Sequence, residues 1–386
     1  MDLLIVHLAY VFGGAERSTA RLLQHLDRNK ITRLTLAAPN ELRRFLPTTY
    51  DTFYDLSAHG IGGGFGGTRK LLSDAKRTAK LLDEIQPDVV FGMMHYPSAL
   101  ITLGRLFSNV KPKTVVSFRG PFFEYMRYHE QGWRRRTFLR TAITISTRLA
   151  DRIIVNSYGT GIELQRRFFA PKHRIKLIPN GIDHIEVMQL SQQSIPELEK
   201  FSIDIPIVCA VARLEPEKNL QLLLEAFRIV RSQQTALLII LGDGRERAQL
   251  EAQVATWKLS ESVKFLGHQD NVYKYLRRAQ VFVHTCQFEG FGNTMLEALA
   301  SGTTVIATDC PYGPREILND DYGILVSMND VQELALAIMQ ILSNETLRLQ
   351  LIERGMKRAK SFTIEAMIHG YEMEFMALAV LVHPNS

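Results

Sequence analysis

Glu289 and Glu297 bracket a glycine-interrupted stretch, FEGFGNTMLEAL (288–299), which follows directly on the strand-like run VFVHT (281–285). Thr294, with Glu297 three residues later, matches a helix capping box, and that motif accounts for those two residues alone. Glu289 and the two glycines, Gly290 and Gly292, need another reason. Glycine allows close backbone approach, and the first amides of a helix opening at Asn293, Thr294 and Met295 would hold an anion. A diphosphate fits.

Upstream, IVCAVA (207–212) runs into Arg213-Leu-Glu-Pro-Glu-Lys218-Asn219 and then an amphipathic stretch. Surface cations are usually just solvated, but two on a loop at a strand's carboxyl end could neutralise the charge building on a departing nucleoside diphosphate. Gly242-Asp243-Gly244 after ALLIIL (236–241) allows close nucleotide approach, or is a plain strand-to-helix turn. His95 follows DVVFGMM (88–94) and faces an acceptor or is structural. The three cysteines, Cys209, Cys286 and Cys310, are odd in number and lack a CxxC, so neither a disulfide framework nor a zinc knuckle is expected. His284, two residues before Cys286, reads as a strand position rather than a metal ligand.

These loops need strands to hold them. Apolar, β-branched runs at 3–7, 34–38, 89–92, 114–118, 153–156 and 175–178, and again at 207–211, 236–241, 263–266, 281–284, 304–307 and 323–326, alternate with helical patterns. That alternation produces parallel sheets through βαβ crossovers. The expected fold class is α/β, with two doubly wound domains: 1–183, a connection at 184–206, 207–363, and a final helix from 364 to 386. Such sheets bind ligands at the carboxyl ends of their strands, so a cleft between the two domains is the expected site. The glycine-dense GIGGGFGG (60–67) is expected to be a mobile loop, because no P-loop Lys-Ser/Thr pair closes it.

The chain has 386 residues, 46% of them hydrophobic and 22% charged, enough for a sizeable core and too few apolar runs for a spanning helix. The start, MDLLIVHLAY, shows no basic leader, so a cytosolic chain is expected. Residues 1–180 carry 28 lysines and arginines against 14 acids, while residues 181–386 carry 18 against 26. The first half thus attracts anionic surfaces and the second does not. Nucleic acid is disfavoured as the partner, since no helix-turn-helix, zinc finger, RRM or KH signature is present. In 126–140 the arginines Arg127, Arg134, Arg135, Arg136 and Arg140 interleave with Trp133, Phe138 and Leu139, which suits an anionic lipid surface or, equally, a solvated helix with a core-facing aromatic side.

The order of FGGAER (12–17), IPNGID (178–183), ARLEPEKN (212–219), the Glu-x7-Glu segment (289–297) and SGTTVIATDCPYGPREIL (301–318) resembles the GT4-type retaining glycosyltransferases of group 1, which have the GT-B fold. The resemblance implies that Arg213 and Lys218 grip the donor diphosphate, that Glu297 binds the nucleotide ribose and that Glu289 faces the transferred sugar. The backbone of Phe291, Gly292, Asn293 and Thr294 would complete the phosphate cradle, with Gly13 and Gly14 approaching from the first domain, and the base would lie near Gly267 and His268. Many relatives have a histidine where this chain has Arg119, and an arginine cannot act as a general base. Arg119 could still orient a phosphate-bearing acceptor.

The function so implied is metal-independent transfer, with retention, of a hexose or N-acetylhexosamine from a nucleotide-sugar, first of all a UDP-sugar, to a lipid-linked or envelope glycan. No cofactor is expected. The expected location is cytoplasmic, at the inner face of the membrane. In the same family's relatives the last helix crosses back onto the first domain. The alternatives are an epimerase or phosphorylase on the same plan, or a catalytically silent sugar-nucleotide-binding scaffold. A nicotinamide dehydrogenase is disfavoured, because the first strand leads into FGGAER and not GxGxxG.

Overall fold

The computed structural model describes residues 1–8, 14–199, 202 and 204–382. The chain forms two compact units, one of residues 1–180 with the segment from Ile364 onward, the other Gly181–Thr363. In the first unit seven parallel strands, β1 (Asp2–His7), β2 (Arg33–Ala38), β3 (Thr52–Asp55), β4 (Val89–Met93), β5 (Lys113–Phe118), β6 (Arg152–Val155) and β7 (Ile175–Leu177), lie in the order β3-β2-β1-β4-β5-β6-β7. The second has six parallel strands, β8 (Ile207–Val211), β9 (Leu237–Leu241), β10 (Val263–Gly267), β11 (Val281–His284), β12 (Thr304–Thr308) and β13 (Ile324–Val326), in the order β10-β9-β8-β11-β12-β13. Both orders reverse direction once, between β1 and β4 and between β8 and β11. At such a switch point adjacent crossovers leave opposite faces, opening a crevice at the strands' carboxyl ends.

Strand alternation divides each core into two layers. Leu4, Val6, Val90 and Val116 pack on one face of the first sheet, and Leu3, Ile5, Val89, Phe91 and Val115 on the other. The second layer is closed by the helix Ile364–Ala379, whose Met367, Ile368, Tyr371, Phe375 and Leu378 are buried there. Phe91 meets Tyr371 edge-on at 5.6 Å and Phe375 at 5.4 Å between ring centroids.

Two expectations need correction. The expected connection, 184–206, is not free over its described residues: Asp183 accepts from the amides of Ile185 and Glu186, both at 2.9 Å, and starts the helix His184–Ser191. Val187 and Leu198 then enter the core of the second unit, because apolar side chains with a partner surface bury rather than span. The first unit accordingly ends at Asn180, not 183. The edge strand β3 was also unforeseen. It is four residues long, TFYD, with Thr52 exposed and the other three half-buried, too short to show an apolar run.

Glu163 is 2% exposed and accepts from the amides of Phe122 (2.9 Å) and Phe123 (3.2 Å) at the start of the helix Phe122–His129. Burial pushes its carboxyl up to about 8, against those two hydrogen bonds, which favour the anion. The folded state therefore holds a proton that the unfolded chain releases. This contribution to stability is complete below the ordinary carboxyl value of 4.5 and is lost as pH rises towards 8. The melting temperature of Glu163→Gln should fall less steeply than that of the wild type between pH 5 and 8. Parallel slopes in calorimetry would show that Glu163 titrates normally.

Candidate active site

At the switch point of the second unit, the loop after β8 meets the loop after β11. Two hydrogen bonds fasten them: Thr285 Oγ1 donates to the Lys218 carbonyl at 2.8 Å, and the Gln287 amide to the Glu217 carbonyl at 2.8 Å. A turn of 3-10 helix, Pro216–Lys218, aims Lys218 across the gap, and its Nζ lies 2.8 Å from Glu289 Oε2. Arg213 keeps 70% of its side chain exposed while its guanidinium rests 3.2 Å from the buried Glu217. The loop after β12 holds the Glu289 backbone: its amide donates to Pro311 at 2.9 Å, and its carbonyl accepts from Tyr312 at 3.3 Å. Oε1 of Glu289 accepts from the Gly290 amide at 2.9 Å.

Two further groups surround that carboxylate. His284, the last residue of β11, is 4% exposed and brings Nε2 within 3.4 Å of Glu289 Oε2. Cys286, also buried, has its sulfur 3.7 Å from the same oxygen and 3.9 Å from His284 Nδ1. Burial alone would raise the Glu289 carboxyl, but Lys218 and His284 outweigh it and hold the group well below the usual carboxylate range. Burial likewise opposes the Lys218 charge, yet the Cys286 sulfur and Glu289 raise the ammonium above its ordinary value. The same two neighbours, again working against burial, push the His284 imidazole up to about 9. Sequence reasoning missed this cluster. Its signal was there in the pattern His-x-Cys-x-x-Glu, dismissed because the histidine and cysteine were considered without the glutamate.

The other expected donor residues are spread over the same loops. Gly292, not Thr294, is the N-cap of the helix Asn293–Ala300, and no side chain caps it. The capping-box reading is thereby corrected, and the physical reason is the glycine's φ of +101°, which only a residue without a side chain adopts at ease. Asn293 and Thr294 sit partly exposed in the first turn, while Phe291 is buried and Glu297 is 5% exposed inside the helix. Gly242 has φ +124°, and a Cβ there would meet the Ala212 carbonyl oxygen at 1.9 Å. Its amide donates to the Gly267 carbonyl at 2.7 Å, so the glycine serves close approach of the loops after β8, β9 and β10. Gly267 ends β10, and His268 beyond it is exposed, 3.6 Å from Asp270.

In the first unit, Gly13 lies outside the described residues, and Gly14 opens the helix Gly14–His25. His95 stacks on Phe122 at 4.0 Å, and burial takes its imidazole down to about 3, leaving it neutral, with no hydrogen-bond partner for Nε2 among the described residues. Arg119 is committed within its own unit. Its guanidinium donates to Tyr371 Oη at 2.6 Å, to Asn180 Oδ1 at 2.5 Å and to the Ser18 hydroxyl. Those bonds join the helix after β1, the end of the first segment and the returning helix.

Replacing Gly242 by alanine should destabilise the second unit by about 2–5 kcal/mol, combining a strained φ with a backbone clash. Urea denaturation of the variant reads this directly, and an unchanged midpoint would mean that the loop yields without cost.

Comparison with known proteins places these features in a known setting. Residues 12–186 match the model of Glycosyltransferase Family 4, and residues 192–358 that of Glycosyl transferases group 1. The chain is 28% identical over 289 residues to the N-acetylgalactosamine-N,N'-diacetylbacillosaminyl-diphospho-undecaprenol 4-alpha-N-acetylgalactosaminyltransferase of Campylobacter jejuni, covering 75% of this chain and 76% of that one. It is 34% identical over 170 residues to the lipopolysaccharide core biosynthesis glycosyltransferase LpsE of Rhizobium meliloti, covering 44% and 49%. Among solved structures, Anabaena HepE in complex with UDP superposes with a TM-score of 0.79 at 17% identity, over 98% of this chain and all of that one. Sucrose-phosphate synthase of Thermosynechococcus elongatus superposes with a TM-score of 0.78 at 20% identity, over 98% of each. These likenesses show the GT-B fold.

Proposed function

Since this chain belongs to the group 1, family 4 glycosyltransferases, we propose that it transfers a hexose or N-acetylhexosamine from a UDP-sugar to a lipid-linked or envelope glycan, with retention and without a metal ion. The observation that carries this reading is the Lys218–Glu289 pair at the switch point, with Arg213 exposed beside it. A UDP-sugar breaks at the bond between its anomeric carbon and the diphosphate, so the transition state has an anion leaving and positive charge building on the sugar. Arg213, Lys218 and the first turn of the helix Asn293–Ala300 supply positive potential for the anion. Glu289 supplies a carboxylate, ionised at any physiological pH, for the sugar hydroxyls and the developing cation. Glu297 would take the ribose.

The donor and acceptor classes draw on the relatives. HepE was solved with UDP, and with UDP-glucose, and the Campylobacter enzyme is named for an undecaprenol-linked acceptor. No helix among the described residues is long and apolar enough to cross a membrane. The first unit instead offers an exposed basic and aromatic surface for peripheral attachment at the inner face of the cytoplasmic membrane. Tyr125, Tyr128 and Trp133 are exposed, the Arg127 side chain is exposed, and Arg134 lies over the Trp133 ring at 5.5 Å.

Arg213→Ala and Lys218→Ala should each lower turnover of a UDP-sugar by about 10²–10³, the usual loss for one preorganised charge-stabilising group. The wild-type rate should survive chelation. A donor found by thermal-shift screening of nucleotide sugars, assayed in EDTA, provides the test, and wild-type turnover in both variants would remove the assignment. On the membrane side, the protein should float with vesicles containing anionic lipid at about 0.1 M salt and be released near 1 M, where the screening length falls to about 3 Å. Flotation indifferent to salt and lipid charge would overturn the electrostatic attachment.

A further inference from the structure

We propose that His284, Cys286 and Glu289 form a site for a thiophilic divalent cation such as Zn2+, which inhibits the enzyme by taking Glu289 from Lys218. One donor atom from each residue lies within 4.8 Å of the other two. The edge between His284 Nε2 and Glu289 Oε2 is 3.4 Å, and that between Cys286 Sγ and Glu289 Oε2 is 3.7 Å. Tetrahedral zinc with bonds of about 2.0–2.3 Å to nitrogen, oxygen and sulfur has edges of about 3.3–3.7 Å. Two of the three edges thus already stand at coordination spacing, and the third lies within 4.8 Å.

A second observation points the same way. His284 Nε2 is buried and, among the described residues, makes no hydrogen bond, its nearest charged neighbour being the Glu289 carboxylate oxygen at 3.4 Å. A buried imidazole nitrogen without a partner is costly, and a metal bond would satisfy it. The donor set of imidazole, thiolate and carboxylate suits zinc and not magnesium or calcium. Cys286 and His284 are almost fully covered, but the Glu289 side chain is 20% exposed and gives the ion a route in. Three protein ligands leave a fourth position for water, as at open zinc sites.

Lys218 occupies the same oxygen, so the ammonium and the metal exclude each other. On binding, metal–nitrogen, metal–oxygen and metal–sulfur bonds form as the ion sheds water ligands, the Lys218–Glu289 contact breaks, and the Cys286 thiol proton and one proton of the His284 imidazolium leave to solvent. Glu289 then no longer serves the sugar. The inhibitory half of the inference rests on the function proposed above, while the binding half does not.

Co2+ serves as the spectroscopic probe, added to the reduced full-length chain. One equivalent should give a near-ultraviolet thiolate-to-cobalt band with tetrahedral visible absorption, displaced by Zn2+. Cys286→Ser should abolish the band, while Cys209 and Cys310 remain as buried thiol controls. Zn2+ should inhibit sugar transfer reversibly, EDTA should restore it, and Cys286→Ser, measured against its own metal-free turnover, should need at least tenfold more Zn2+ for the same fractional inhibition. Absence of the band in the wild type, or its survival in Cys286→Ser, overturns the site and says nothing against glycosyl transfer. A Cys286-dependent band with turnover untouched by Zn2+ overturns the inhibition and the role of Glu289 together.

Discussion

The Lys218–Glu289 ion pair is the contact around which the second unit's site is organised. Each partner keeps only a sixth to a fifth of its side chain in solvent, so each loses hydration that the other must replace. The pair would be of little value between two mobile loops. It is held because the loops after β8 and β11 are already joined by Thr285 and Gln287, and because the loop after β12 clasps Glu289 from the other side. Neighbouring strands of a parallel sheet thus deliver a cation and a carboxylate from segments 71 residues apart to one spot. In the proposed reaction the arriving diphosphate shares Lys218 with Glu289, loosening the carboxylate at the moment a sugar needs it. A charge that is preorganised yet neutralised at rest costs less to keep buried than a bare one.

Much of this was legible in the sequence, and the failures have physical causes. Buried parallel strands such as LLIIL and TVIAT are continuous apolar runs, and helices cover both their faces, so their identity is written locally. β3 is a half-buried edge strand of four residues, TFYD, whose strand-favouring residues are too few to set up a recognisable pattern. The segment 184–206 has weak periodicity because its apolar residues fill gaps in a core built by others. At the site, Arg213, Lys218 and Glu289 were identifiable from their loops. What a linear reading could not supply was the partner of each: that Glu289 closes on Lys218, that Gly242 exists for the Ala212 backbone, and that Gly292 starts the helix instead of Thr294.

Arg119 shows the same limit from the other direction. Its position, at the end of β5, suggested contact with a substrate, and it is indeed at the carboxyl edge of the sheet. Its three donated bonds go to Ser18, Asn180 and Tyr371, all within the first unit. A guanidinium suits this use, since its planar fork of five donors can satisfy several acceptors at fixed angles where a histidine could reach two at most. At this position the guanidinium forms a structural junction within the first unit.

That junction has a consequence for how the molecule assembles. The chain leaves the first unit at Asn180 and re-enters it at Ile364, so the whole second unit is an insertion in the first. The returning helix buries Met367, Ile368, Tyr371, Phe375 and Leu378 against the first sheet. At about 1.5–3 kcal/mol for each large apolar side chain, this is on the order of 10 kcal/mol, comparable with the net stability of an entire domain. Until those residues are synthesised, the face carrying Leu3, Ile5 and Phe91 has only the cover given by Leu22, Leu23 and their neighbours, and Arg119 lacks Tyr371 as an acceptor. The second unit has no such debt to its flanks: Ile182 pairs with Thr363 at its two ends, and its core closes within 181–363. The second unit can therefore fold as a continuous segment, while the first must wait for the last helix to complete its core.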